Sequence, residues 1–262
     1  MSSSNTEDQG SIYGRQLLLA GSKRNTVLEL WEVQRYGTDS FGDPDYVSLY
    51  GMRPADWYAK GIRLLGRTTV ECTRDALADA IGTDIATIAA TAPSNAGALV
   101  IDPFVGSGNT LYWMLCHLPS ARGLGFELDS VVFQLTRQNM ASLGMPLTIV
   151  NADYVFGLAD TPVLAEQLLI VFIAPPWGDA FSMTSGLDLR RTTPPISEIV
   201  DFLAHRFRQN RLLCAIQLYE TVDPISLTEL KLRFDWSELR VYGLNAPGAN
   251  HGILLGTRGW VP

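Results

Sequence analysis

Three acidic side chains and one aromatic side chain, each standing just past a short apolar run, are the residues of this chain best placed to do chemistry. Asp102 closes "ALVID", Glu127 follows "RGLGF", Asp153 follows "LTIVNA" and Trp177 follows "LLIVFIAPP". Between the first two lies "VGSGNT", in which Gly106 and Gly108 leave out side chains where a turn must let a ligand approach the backbone. Ser107, Asn109 and Thr110 can cap the helix that follows. An acid about twenty residues past such a turn is placed to accept hydrogen bonds from ribose hydroxyls. Glu127 could instead only open the next helix, but Asp129 is the better cap. Asp153, one strand later, could accept from an adenine amino group. Neither GxxxxGK[ST] nor GxGxxG occurs, so an adenosine ligand read from these residues need carry no phosphate.

Pro175, Pro176 and Trp177 raise a different chemistry. Proline fixes the backbone, removes N–H donors and leaves its carbonyl as a rigid acceptor. A tryptophan beside such carbonyls offers a flat face on which a planar ring can stack, worth about 1–3 kcal/mol per base in nucleic-acid sites. The plainer alternative is that the prolines end a strand and Trp177 packs into the core. Asp179 and Phe181, just beyond, would line the same pocket, and Arg190 and Arg191 could meet anionic groups. His251 in "GANHG" reads as a loop residue rather than a base.

These residues need a scaffold that gathers strand ends. Downstream of a change of pattern in "APSNA", short apolar runs alternate with helical patterns, as in a parallel sheet covered by helices on both faces. Helices are expected from Asn109, from Asp129 and over Ile196 to Arg208, and the last two strands should form an antiparallel pair joined by a loop holding Pro247, Gly248 and Asn250. Upstream, helices are expected over Val27 to Tyr36, Pro54 to Leu65 and Thr73 to Ala90. The expected organisation is a tail over 1–10, a helical extension over 11–95 and one α/β domain over 96–262. At 262 residues and 47% hydrophobic residues, the chain can bury a full core.

Taken together, "DPFVGSGNT", "GFELD" and "NAD" followed by "APPW" resemble the class I S-adenosylmethionine-dependent methyltransferases. The resemblance implies a doubly wound, mostly parallel, seven-stranded α/β sheet. It also implies S-adenosyl-L-methionine as cofactor, with Asp102, Gly106 and Gly108 at its methionine end, Glu127 at the ribose and Asp153 at the adenine. Ser107, Thr110 and Ala174 complete the expected cofactor set. "DPFVGSGNT" is also similar to the "DPFxGSGTT" of DNA amino-methyltransferases, in many of which the catalytic motif comes first; here it follows the glycines.

More narrowly, "VFIAPPWGDAF" and "WEVQRYG" resemble the trimethylguanosine synthase family, which methylates the exocyclic N2 of the RNA cap guanosine. Pro175, Pro176, Trp177 and Gly178 match its catalytic motif, and Trp31, Gln34, Arg35 and Tyr36 match an aromatic and basic cluster in its helical extension. The match spans roughly Trp31 to Asp201. It implies in-line methyl transfer to a ring amine, with Pro175, Pro176 and Trp177 as catalytic residues and Trp177, Asp179, Phe181 and Arg35 against the substrate. Tyr46 and Tyr50, in a loop with Asp43 and Asp45, would form a lid. Ala174 stands where that family has serine, so only backbone carbonyls would receive the amine hydrogens.

Composition limits the partners. A formal net charge of −7 gives no general attraction to a polyanion, so a free nucleoside, a nucleotide or another planar nitrogen heterocycle stands beside capped RNA as acceptor. Cys72, Cys116 and Cys214 form no CxxC pair and lie at no metal-ligand spacing with His117, His205 or His251, so neither a disulfide framework nor a metal is expected. No membrane segment and no basic-then-apolar start occurs, which makes a cytoplasmic protein the expectation. Two other classes stay open: a methyltransferase-like RNA-binding module without activity, which Ala174 permits, and a nicotinamide enzyme, which the missing GxGxxG disfavours.

Overall fold

The computed structural model describes residues 13–93, 97–145, 147–182, 186–219, 221–243 and 251–262. The expected tail, part of "APSNA" and the Pro247, Gly248 and Asn250 loop lie outside them. The chain divides into two compact units, Met1–Cys72 and Thr73–Pro262.

The first unit carries helices α1 (Arg15–Leu19), α2 (Leu30–Phe41), α3 (Pro54–Ala59) and α4 (Gly66–Glu71). Helix α2 starts later than its apolar spacing suggests because Glu29 and Glu32 close a capping box at its N-terminus, with Glu29 N–H donating to Glu32 Oε2 at 2.8 Å. The expected helix over Pro54 to Leu65 stops at Ala59, since Gly61 takes a left-handed φ of 83°. Trp57, 1% exposed, anchors this unit's core and donates from Nε1 to the Val47 carbonyl at 2.9 Å.

The second unit begins with α5 (Asp75–Ala89). Strand β1 (Ala98–Asp102) leads to α6 (Asn109–His117), β2 (Arg122–Phe126) to α7 (Ser130–Ser142), and β3 (Leu147–Val150) to α8 (Tyr154–Ala159). After β4 (Leu168–Ile173) come a small hairpin of β5 (Phe181–Ser182) and β6 (Gly186–Leu187), helix α9 (Ile196–Arg206) and β7 (Leu212–Tyr219). Helix α10 (Pro224–Lys231), β8 (Trp236–Tyr242) and β9 (His251–Arg258) complete the unit. The seven-stranded sheet has the order β3-β2-β1-β4-β7-β9-β8. Its first five strands are parallel; β8 and β9 form the antiparallel pair that the sequence pattern predicts, and β9 also runs antiparallel to β7.

Two apolar clusters cover the sheet's faces. Leu77, Ile81 and Ile85 of α5 join Leu111 and Met114 of α6 on one. Leu158 of α8, Ile199 and Leu203 of α9 and Leu230 of α10 join the other. The central strand β4, "LLIVFI", is buried at every position, which its unbroken apolar run requires of a strand covered on both sides. The unit boundary expected near residue 95 falls instead after Cys72, because the apolar stripe of α5 is buried in the sheet unit's own core.

Candidate active site

The chain order reverses between β1 and β4, where β1 goes on to β2 on one side while β4 pairs with it on the other. Ligands of open α/β sheets bind outside the carboxyl ends of the strands at such a point. Asp102, the glycine turn, Glu127 and the prolines after β4 stand at these strand ends.

Asp102 ends β1 at 2% exposure, and its Oδ1 accepts from Phe104 N–H at 3.0 Å. Burial pushes its carboxyl up to about 7, the Phe104 bond opposes that shift, and the charge of Glu127 adds to it. The turn that follows is tight: Gly108 N–H donates to Val105 O at 2.7 Å, and Gly106 and Gly108 hold φ of 49° and 79°. A Cβ on Gly108 would be strained at the left-handed φ and would press on Thr136 Cγ2 at 3.3 Å and Met140 Cε at 3.4 Å. The Thr136 hydroxyl donates to Gly106 O, tying the turn to α7. Ser107 and Thr110 are buried beside the turn. Ser107 Oγ accepts Asn109 N–H at 3.3 Å, so the expected capping group is realised by Ser107 while Gly108 occupies the N-cap position itself.

Glu127 is more than a helix opener. One carboxylate oxygen accepts Gly106 N–H at 3.1 Å and the other accepts Asp129 N–H at 2.9 Å. A carboxylate offers about four lone-pair sites, so one such group can accept backbone amides and ribose hydroxyls together. Asn151 Nδ2 donates to the Glu127 and Leu128 carbonyls at 2.8 and 3.2 Å, which fixes the ends of β2 and β3 to each other. Asp129 caps α7 through Val131 and Val132 N–H. Asp153 caps α8, with Oδ1 accepting Val155 N–H at 2.8 Å.

Sequence reasoning passed over the apolar residues next to these acids. Leu128 is 72% exposed and Phe156 is 75% exposed, each just past a strand end that carries one of the acids. Their sequence signature is an apolar residue directly after Glu127 and another in the first turn after Asp153. Two large exposed apolar side chains at that place are suited to the faces of a flat ring.

On the other side of β1, Ala174 is half-buried, Pro175 buried, Pro176 exposed and Trp177 half-buried. Trp177 packs against the core and still presents surface. Its ring centroid lies 6.4 Å from Phe181 and 6.0 Å from Tyr219, and Phe181 and Tyr219 meet edge-on at 4.6 Å. His251 is the first residue of β9, paired with Tyr219 in register, and its ring lies 6.4 Å from the tyrosine. Tyr219 thus joins an aromatic wall that its position at the end of an apolar strand did not announce. Asp179 is exposed on the short 3-10 turn after Trp177. Arg190 is engaged by Asp188 at 2.8 and 3.0 Å and by Asp223 at 3.2 Å, which spends its charge within the unit.

Three expected substrate residues belong to the first unit. Arg35 pairs with Asp39 at 3.0 Å. Tyr46 stacks on Phe41 with centroids 3.5 Å apart. Tyr50, expected in a lid, is 3% exposed in its own unit's core, at a left-handed φ of 57°. Among the described residues no cluster of His, Cys, Asp and Glu could hold a metal ion, and no helix is long and apolar enough to cross a membrane.

No family model matches the chain, and no curated protein matches it. Solved structures do. The METTL16 methyltransferase domain superposes with a TM-score of 0.52 at 13% identity, over 74% of this chain and 72% of that one. A human methyltransferase 10 domain containing protein reaches 0.47 at 14% identity, over 71% and 84% of the two chains. The precorrin-6Y C5,15-methyltransferase of Geobacter metallireducens reaches 0.45 at 14% identity, over 71% and 89%. At 13% identity the METTL16 likeness establishes the fold alone: a seven-stranded, mostly parallel sheet flanked by helices.

Proposed function

We propose that the chain transfers a methyl group from S-adenosyl-L-methionine to a nitrogen of a planar heterocycle of the guanine kind. The observation that carries this reading is the pair of arrangements flanking β1: a carboxylate pinned by two backbone amides on one side, and a proline-lined strand end with a half-buried tryptophan on the other.

The residues present suit this cofactor. A carboxylate anchored as Glu127 is suits a ribose diol, the glycine turn leaves the backbone approachable, and Asp102 places a buried carboxyl where a cationic amino-acid end would favour its ionised form. Leu128 and Phe156 offer apolar faces to the adenine, with Asp153 next to them. When bound, the cofactor supplies a methyl carbon activated by a sulfonium.

The chain's own part is alignment. Trp177 holds the acceptor ring by stacking, and Phe181 and Tyr219 keep the indole from turning. The Pro175 carbonyl accepts a hydrogen of the acceptor amine, so that its lone pair faces the methyl carbon. Ala174 supplies no hydroxyl, which leaves that task to the backbone. The resemblance of "APPWG" to the trimethylguanosine synthase motif supports a guanine-like ring, and the net charge of −7 supports a small acceptor equally with capped RNA.

The test is turnover of radiolabelled S-adenosyl-L-methionine with guanosine, guanine nucleotides and cap analogue. Methyl incorporation into one of them is expected. RNA retention on filters with no cofactor binding would replace this reading with that of a binding module.

A further inference from the structure

The strongest unassigned feature of the sheet unit is a hook at its first residues. Asn109, the first residue of α6, is 1% exposed, and its side-chain amide donates to Thr73 O at 2.8 Å and to Asp75 Oδ1 at 3.1 Å. The same Asp75 oxygen accepts Trp113 Nε1–H at 2.7 Å. Thr73 Oγ1 donates to Gln217 Oε1 at 3.2 Å, on β7, two residues before Tyr219 of the aromatic wall. One short turn, Thr73 to Asp75, is therefore bonded to the helix that closes the glycine turn and to the strand that ends in the acceptor wall.

We propose that Asp75 is a positioning residue for the cofactor turn, holding Asn109 and Trp113 so that the backbone from Gly106 to Asn109 keeps its ligand-ready shape. The physical case rests on hydrogen-bond satisfaction. Both hydrogens of the buried Asn109 amide are engaged, one by a carbonyl and one by a carboxylate, and the carboxylate bonds are of the stronger, charge-assisted kind. Asn109 adjoins Gly108, the left-handed residue at the centre of the turn, and its own N–H is held by Ser107 Oγ. Removal of the Asp75 carboxylate would leave two donors without their acceptor next to the least regular backbone of the site. A second α5 to α6 pair, Asp79 with His117 Nε2 at 2.7 Å, joins the same helices one turn farther from the glycines and makes no bond to the turn. It is the natural control.

The experiment compares Asp75→Ala, Asp79→Ala and wild type in the full chain by two readouts. Hydrogen exchange without ligand follows the Gly106, Gly108 and Asn109 amides, and calorimetry follows affinity for S-adenosylhomocysteine. Asp75→Ala should speed exchange of those amides about ten-fold and weaken affinity about ten-fold, as expected for the loss of charge-assisted bonds. Asp79→Ala should leave both within about three-fold even where it lowers the melting temperature as much. Asp75→Asn, which keeps an acceptor oxygen, should restore both to near wild type. Should Asp75→Ala fail to fold, Asn109→Ala severs the hook from the other side and must show the same split. Equal exchange in the two aspartate variants, or unchanged exchange in Asp75→Ala, overturns the proposal. The affinity arm rests on the cofactor reading above and the exchange arm does not. A wild-type chain that binds no S-adenosylhomocysteine but shows the exchange split would therefore remove the cofactor and keep the hook.

Discussion

Removal of the Glu127 carboxylate should separate cofactor binding from folding, and the structure indicates by how much. Its two oxygens each accept a backbone N–H, from Gly106 at 3.1 Å and Asp129 at 2.9 Å, at a half-buried strand end. In Glu127→Ala, water can reach both amides and replace the lost acceptor, so the loss of stability should stay within about 1.5–3 kcal/mol, the worth of one hydrogen bond to a charged group, and leave the chain folded. A ribose diol, by contrast, would lose a charged acceptor for both hydroxyls. Hydrogen bonds to a charged group contribute about 1.5–3 kcal/mol each, and with one such bond's worth lost in net the affinity falls by about 10- to 150-fold. Glu127→Gln gives a sharper test. A carboxamide has one acceptor oxygen and one donor nitrogen, so in the observed pose its NH2 must face either the Gly106 or the Asp129 N–H, donor against donor. Glutamine should therefore weaken binding at least as much as alanine, although it is the closer shape. Calorimetric titration with S-adenosylhomocysteine, beside a thermal melt of each variant, reads both quantities. Affinity for Glu127→Gln within about three-fold of wild type would refute the argument and take Glu127 out of the site.

Other predictions follow the same geometry. Trp177→Ala should lower turnover by about 5- to 150-fold, the kinetic equivalent of about 1–3 kcal/mol of stacking, while S-adenosylhomocysteine affinity stays within about three-fold; equal loss of both would make Trp177 a core residue only. Burial pushes the Asp102 carboxyl up to about 7 from the ordinary carboxylate range, so the folded state holds more protons between the two and the contribution of this group to stability falls as pH rises through that window. Asp102→Asn should flatten that part of a melting-temperature profile between pH 5 and about 7.5, and a profile identical to wild type would contradict the shift. A cationic ligand favours the ionised carboxyl, so wild-type affinity should also rise with pH through about 7 and release protons, as calorimetry in buffers of differing ionisation enthalpy would show. Asp153→Asn should keep the α8 cap and the melting temperature, because asparagine caps as well as aspartate does, yet weaken cofactor affinity; unchanged affinity would restrict Asp153 to capping.

Much of this site is legible in the sequence because short-range geometry dictates it. A strand, two glycines and a capping residue specify the turn at Gly106 and Gly108, and the acid after the next strand has little choice but to stand beside them. Asp129 as a cap follows from its place before an apolar helical pattern. What the sequence concealed depends on long-range pairing. Tyr219 and His251 are 32 positions apart and meet only because β7 and β9 pair antiparallel in one register, which nothing local announces. Helix α8 was missed since "YVFGLA" contains a glycine and is a single turn and a half; Gly157 is there because the Phe126 ring leaves no room for a Cβ. Helical periodicity likewise shows that α5 has an apolar face, and only the fold shows which core that face joins.

The most direct test of the account is a calorimetric titration of the wild-type chain with S-adenosylhomocysteine, alone and then with guanosine or cap analogue present. One site per chain in the micromolar range is expected, with tighter binding of the cofactor product when the true acceptor occupies the Trp177 wall. The absence of any binding heat, with the chain shown to be folded by its melting transition, would contradict the methyltransferase reading and leave the carboxylates at the strand ends as turn and cap residues alone.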